Sequence, residues 1–325
     1  MKQQAFEQRH RHTWQAFSIQ LEALEQARGQ PVDPASFPAA YRRLCQHLSL
    51  AQSRGYSQGL VDHLQYLVQR GHLQLYRHRS LLLARIIAFT LGGLPLLVRQ
   101  EWRFVLVASL LFYGSLLLAG LLVFGVPELA RALLSATQIA QMEQMYDPDR
   151  ARLGRFGERT AAADWMMFGY YIMNNVGIAF QTFAGGLLAG LGTLFFLLFN
   201  GLTIGAVAGH LTGIGYHHPF YSFVIGHGAF ELTGISLAGA AGLRIGWALI
   251  APGQLRRADA LRQASSVGVQ LVSGALLLLL IAAFVEAYWS SMTFATPLAK
   301  YLVGAALWLL VALYLTLGGR QHDAS

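Results

Sequence analysis

Charge is what this 325-residue chain has least of. Asp, Glu, Lys and Arg make up 12% of it, against about 25% in an ordinary soluble domain. The deficit is gathered into long apolar runs; hydrophobic residues reach 54% and the mean hydropathy is +0.42. That balance excludes a soluble globular protein and implies a polytopic membrane protein. Cysteine is nearly absent as well. The single Cys45 rules out an internal disulfide and any cysteine-based metal cluster, and reads as a buried helix residue. The first thirty residues are polar and lack a short apolar core with a small-residue cleavage site, so no secretory leader is expected. No H-E-x-x-H zinc signature, no G-x-S-x-G elbow and no paired-aspartate motif occurs.

What charge there is lies unevenly. The net charge is +8, and 13 of the 24 Lys and Arg precede residue 104. Beside spanning helices, such a basic region reads as a cytoplasmic domain facing anionic lipid head groups rather than as a nucleic-acid surface. Residues 1–79 are expected to form a small bundle of three helices. Phe6, Trp14, Phe17, Leu21 and Leu24 recur at helical spacing over 4–28, and Gly29, Pro31 and Pro34 end that helix. Phe37, Tyr41, Leu44, Leu48 and Ala51 mark a second helix over 36–54, and Leu60, Leu64, Leu67, Val68 and Tyr76 a third over 57–78. This bundle reads as a packing module for partners or protomers.

Residues 80–103 follow. The run 80–98 is near spanning length but carries Arg85, Gly92, Gly93 and Pro95, and is read as an interfacial or elbow helix. The transmembrane domain is assigned to 104–318, with spans near 104–124, 176–199, 201–215, 221–250, 267–288 and 299–318. An extracytoplasmic amphipathic segment occupies 125–164, and a cytoplasmic tail 319–325. The loop 251–266 holds Arg256, Arg257 and Arg262, whereas 289–298 has no Lys or Arg. Counting crossings from a cytoplasmic N-terminus puts the arginine loop inside only if 201–215 crosses. The fold class is therefore all-α: a membrane bundle of about six spans with both ends cytoplasmic. Glu286 is expected to reach the interface at the outer end of the fifth span, and Arg244 to snorkel towards the cytoplasmic head groups.

The chain is organised around 174–231. This stretch is apolar enough for a bilayer, yet carries Asn174, Asn175, Asn200, His210, His227 and Glu231. Polar groups in hydrocarbon face a protein interior, a water cavity or each other. Gly201, Gly205, Gly209 and Gly213 form a ladder on one helix face, and Gly186 with Gly190 and Gly242 with Gly246 form further G-x-x-x-G pairs; each admits a closely approaching backbone. Asn200-Gly201 is expected to be the turn between the second and third spans, with Asn174 and Asn175 at the start of the second. His227 and Glu231, four apart, share one helix face. The pair reads first as a hydrogen-bonded lock between helices. A transport or proton-relay role, a metal site including His210, His217 and His218, and intramembrane proteolysis are the alternatives. No catalytic residue, metal ligand or cofactor is assigned.

The words NNVGIAF, GLLAGLGT, NGLTIGAVAGH and GHGAFELTGISLAGAAGLRIG, with WRFVLVASLLF before and AAFVEAYW after, resemble the stage II sporulation protein M family. The resemblance is specific over 174–246. In endospore formers, members are membrane partners of peptidoglycan-degrading enzymes. With its N-terminal helical domain, this chain is similar to the longer relatives of non-sporulating bacteria, which are associated with AAA+ ATPases of the MoxR type and von Willebrand-factor-type proteins. The resemblance implies a bacterial cytoplasmic (inner) membrane and brings no catalytic residue. The function expected is a non-enzymatic membrane scaffold, homo-oligomeric and a dimer first, which organises ATPase, von Willebrand-factor-type or cell-wall partners. A transporter or channel lined by the Asn, His and Glu cluster is the alternative.

Overall fold

The computed structural model describes residues 2–25, 37–149, 161–292 and 294–319. It is helical, with no strand among the described residues, and divides into two compact units, Met1–Ala88 and Phe89–Ser325.

The first unit is built from α1 (Gln3–Glu25), α2 (Phe37–Ser53) and α3 (Gln58–Ala88). Their apolar stripes form one core of Phe6, Trp14, Phe17, Leu21, Phe37, Leu44, Ala51, Leu60, Leu64 and Leu67, with Leu24, Tyr41, Leu48 and Val68 packed against it. These are the residues that helical spacing selects, because only positions three, four and seven apart share a face. Arg70 of α3 grips Glu25 of α1 with two hydrogen bonds of 3.0 and 2.6 Å. Cys45 is half-buried on α2 rather than buried. The breakers Gly29, Pro31 and Pro34 and the Tyr76 side chain lie outside the described residues, as does the tail beyond 319.

In the second unit a π turn, Phe89–Gly93, leads into α4 (Leu94–Gln100), and Glu101 alone joins α4 to α5 (Trp102–Gly125). Leu94, Leu97 and Val98 of α4 are buried with Leu271, Leu278 and Val311. Next come the short α6 (Ala130–Leu133) and α7 (Ala136–Met145), then α8 (Ala161–Ala184), α9 (Leu191–Gly213), α10 (His217–Ile250), α11 (Arg257–Phe284) and α12 (Pro297–Leu317). Helix α7 starts on a reciprocal capping box between Ser135 and Gln138. The loop residues 150–160 lie outside the described set.

Among the described residues, six helical stretches are long and apolar enough to cross a membrane: Leu83–Gln100, α5, α9, α10, α11 with its continuation to Ser290, and α12. The first of these is the stretch that sequence reads as an interfacial elbow. Helix α8 carries Asn174, Asn175 and Gln181 and is not in this set. Its 24 residues are nonetheless about 36 Å long at ~1.5 Å per residue, and it packs on α9, α10 and α11. At the centre is α10, with 67% of its most apolar window buried inside the protein, against 17–44% for the other five. Helices α5 and α12 turn rows of leucine outward, among them Leu110, Leu117, Leu121, Leu302, Leu309 and Leu313. Exposed leucine in that density fits lipid as its solvent.

The turn between the expected second and third spans lies earlier in the chain than composition places it. Asn200 and Gly201 are inside α9, where the Asn200 amide donates to the Phe196 carbonyl at 2.7 Å, one turn back. The chain turns instead at 185–190. There a 3₁₀ turn, Gly185–Leu187, is followed by Ala189 and Gly190 with φ of 51° and 84°. The left-handed conformation at Gly190 costs a glycine nothing. Thr193 at the start of α9 then donates to the Thr182 carbonyl at 2.7 Å and closes the corner.

This turn decides what the glycines meet. A methyl on Gly186 would overlap the Gly242 carbonyl of α10, and one on Gly246 would overlap Gly190. The two G-x-x-x-G pairs therefore face each other, with the first on the turn rather than within a span. Gly201, Gly205 and Gly209 lie against the α5 backbone at Phe112, Leu116 and Gly120. A methyl on Gly213 would meet nothing within 4 Å, so three rungs of the expected ladder make contact and the fourth does not.

Candidate functional site

Three elements of the second unit, α10 among them, bring polar side chains to one place. His227 and Glu231 come from the first half of α10. Asn174 and Asn175 come from the middle of α8, not from its start. Glu286 and Ser290 come from the π turn Val285–Ser290 that ends α11. A single π turn widens the helix locally and re-aims its side chains, and such turns recur at functional sites. Here Glu286, half-buried on that turn, lies beside His227 and Glu231.

All of these but Ser290 line a cavity of about 230 Å³ that also touches Tyr170, Tyr171 and Val207. Met142, Met145 and Tyr146 of the α7 segment border it as well. One ligating atom each of His227, Glu231 and Glu286 lies within 4.8 Å of the others, the one such trio among the described residues. The imidazole Nε2 is 3.9 Å from Glu231 Oε2, too long for a hydrogen bond. The expected His227–Glu231 lock is thus an electrostatic neighbour pair. The hydrogen bond of His227 goes to Ser290, whose hydroxyl lies 3.0 Å from Nδ1. Lys300 of α12 is buried and donates to the Ser290 carbonyl at 2.8 Å. Asn174 donates to Asn175 Oδ1 at 2.9 Å. The buried Asn175 amide nitrogen lies beside the Glu231 carboxylate, close enough to act on it but outside good hydrogen-bond geometry.

The other residues singled out by sequence lie elsewhere. Asn200 points back along α9 and does not line the cavity. His210 of α9 pairs with Glu143 of α7 at 2.8 Å. His217 and His218 stand side by side at the start of α10 with ring centroids 4.3 Å apart. The four histidines therefore do not form one metal site. Ser290, Lys300 and Glu286 are the functional neighbours that sequence reasoning missed. Their distance along the chain from His227, 63 positions for Ser290, leaves no local signal to find them by.

At the opposite end of α10 the bundle gathers Arg99, Arg103, Arg244, Arg256, Arg257 and Arg262. Arg244 is ion-paired with Glu101 at 3.2 Å and lies over the Phe104 ring at 5.6 Å, so it bridges α10 and the start of α5. Arg99 donates to the Gly318 carbonyl at 2.6 Å. A wider cavity of about 770 Å³ opens there, walled largely by Phe104, Leu194, Leu243, Trp247 and Ala248. It brings together a single ion pair and no cluster of ligating groups.

Comparison with known proteins adds two assignments. A domain of unknown function (DUF8413) matches residues 4–77, which are the core of the first unit. No curated protein and no solved structure matches the chain. The family described as Stage II sporulation protein M matches residues 103–291, a stretch that runs from the start of α5 through the polar cavity to Ser290. With more than half its length so matched, the chain belongs to the stage II sporulation protein M family.

Proposed function

We infer that the protein is a non-enzymatic membrane scaffold: a rigid bundle in the bacterial cytoplasmic membrane that carries a helical module for partners. The observation that carries this reading is the division of labour between the units. The first has its own aromatic core on α1–α3, which is what a docking module needs. In the second, α5 and α9 meet backbone to backbone along Gly201, Gly205 and Gly209. Interfaces of that closeness resist sliding, which suits an anchor. The 13 of 24 Lys and Arg that precede residue 104, Arg256, Arg257 and Arg262 between α10 and α11, and the absence of Lys and Arg from 289–298 support a cytoplasmic location for the end holding the α8–α9 turn and for both termini, with 80–98 kept as an interfacial elbow. The first unit then faces the cytoplasm, where a MoxR-type AAA+ ATPase or a von Willebrand-factor-type protein is the partner class; cell-wall proteins would be met from the other side. Self-association, as a dimer first, accompanies this role. Co-purification of the full chain from native membranes tests it: a stable partner or a self-associated form is expected, and a monomer with neither contradicts it.

A second reading, transport of an ion or proton, is favoured by one observation, the His227–Glu231–Glu286 cavity. Intramembrane ionisable groups are costly unless they are used. It requires that Glu231→Gln abolish flux in reconstituted vesicles while the protein stays folded.

A further inference from the structure

We propose that His227, Glu231 and Glu286 bind one divalent cation of the zinc class, with a water-filled coordination position facing Asn175. Nothing in the scaffold reading requires this site, and it stands whether or not partners are found.

The donor set comes first. One imidazole nitrogen and two carboxylates suit zinc and its first-row neighbours rather than calcium or magnesium, which take oxygen alone. Three protein ligands leave a fourth position for water, the pattern of a zinc site that exchanges a ligand. The charges also balance. Two carboxylates held this close inside a membrane bundle repel each other. A divalent ion neutralises both carboxylates and removes the cost of burying them.

The imidazole is set up from behind. Its Nδ1 lies 3.0 Å from the Ser290 hydroxyl, and with Nδ1–H donating there the lone pair is on Nε2, the nitrogen nearer Glu231. Orientation of a ligating histidine through its other ring nitrogen is the usual support for a metal. Ser290 and Glu286 are four residues apart on one π turn, so a single element supplies a ligand and the support of another. In a tetrahedral site with bonds of ~2.1 Å the ligand atoms are about 3.4 Å apart, and the trio here lies within 4.8 Å. Binding therefore draws the ligand atoms together by about 1 Å, which rotation of the two Glu side chains about their own torsions can supply.

An independent observation points to a ligand at the same spot. Asn175 is 2% exposed, lines the cavity, and its amide nitrogen makes no hydrogen bond of good geometry. A buried donor of that kind is unfavourable unless something accepts from it. A metal-bound water in the cavity would accept from it. The His210–Glu143 pair shows the contrast: among the described residues it offers two ligands and no third.

The test uses the full chain in detergent with its affinity tag removed. Metal analysis after equilibration with zinc is expected to give about one equivalent per chain, and titration with Co²⁺ a visible ligand-field spectrum that zinc abolishes. His227→Ala, Glu231→Gln and Glu286→Gln should each weaken binding by at least about tenfold, with size-exclusion profiles confirming a folded protein. Asn175→Ala should retain the metal and alter the Co²⁺ spectrum. Substoichiometric zinc with no Co²⁺ spectrum in the wild type overturns the proposal, and does so even where a variant fails to fold. Retention of full zinc binding in folded Glu231→Gln and Glu286→Gln overturns it too, because the metal would then lie elsewhere.

Discussion

The Ser290 hydroxyl lies 3.0 Å from Nδ1 of His227, so the π turn after α11 is tied to the first half of α10 through a buried polar contact. Ser290→Ala leaves the imidazole nitrogen without that partner. An unsatisfied buried polar group costs about 1–3 kcal/mol, and thermal unfolding in detergent is expected to fall accordingly, with partial recovery in Ser290→Thr. An unchanged midpoint in Ser290→Ala would show that the contact contributes nothing.

The glycine row on α9 makes an internally controlled prediction. Gly205→Ala drives a methyl into the Leu116 carbonyl of α5, and overpacking of this kind costs about 1–3 kcal/mol. Gly213→Ala meets nothing within 4 Å and, by stiffening the helix, is neutral or stabilising by about 0.5 kcal/mol. Equal effects of the two substitutions in a detergent melting series would refute the α5–α9 packing.

A third prediction concerns the turn. Gly190 has φ +84° and faces Gly246 of α10. Gly190→Ala is therefore expected to destabilise by about 1–3 kcal/mol, whereas Gly177→Ala, with open space around it, should not. Expression level and unfolding midpoint of the two variants decide it.

The first unit is expected to loosen in mild acid. The Trp14 indole donates to Nδ1 of His47 at 3.1 Å, and the His10 and His47 rings lie 4.1 Å apart. Burial, then the nearby His10 and Arg43, hold the His47 pKa below its usual value; burial, then Arg9, do the same for His10. With the folded pKa below the unfolded ~6.5, the unfolded chain binds more protons below that value, so stability is fully present above pH ~6.5 and is lost progressively as pH falls from there through the lowered folded value. Hydrogen exchange in peptides covering 6–21 and 37–51 should quicken at about pH 5.5 relative to about pH 7.5, on either side of ~6.5, after correction for the intrinsic rate, and His47→Gln should remove part of the difference. Identical corrected rates would contradict it.

The contrast between the units shows what a single sequence encodes. Phe6, Trp14, Phe17 and Leu21 announce their shared face by spacing alone, because each repeats the helical period locally. Asn200-Gly201 sent the opposite signal. It reads as a turn by composition, but an Asn side chain in a helix bonds the carbonyl four back, and Gly201 is there to let α5 approach. Small residues say that a backbone comes close and not which one. The true turn at 185–190 is written in the same glycines that read as a G-x-x-x-G helix face. Glu286 and Ser290 became neighbours of His227 through the packing of α11 on α10 and a π turn, neither of which has a local period. Membrane character and the helices of the first unit were legible in the chain, as was the run of polar residues Asn174, Asn175, His227 and Glu231 within an apolar stretch; the distant residues that pack beside them were not.

The most direct test of this architecture is cysteine accessibility across the membrane. In a Cys45→Ser background, single cysteines are introduced at Leu188 on the α8–α9 turn, at Gln254 between α10 and α11, and at Ser135 before α7. A membrane-impermeant thiol reagent is applied to intact cells and to inverted vesicles. Leu188→Cys and Gln254→Cys should react only in inverted vesicles, and Ser135→Cys only in intact cells. Labelling of Leu188→Cys and Ser135→Cys from the same side would contradict a bundle in which α8 and α9 cross the membrane and turn at 185–190.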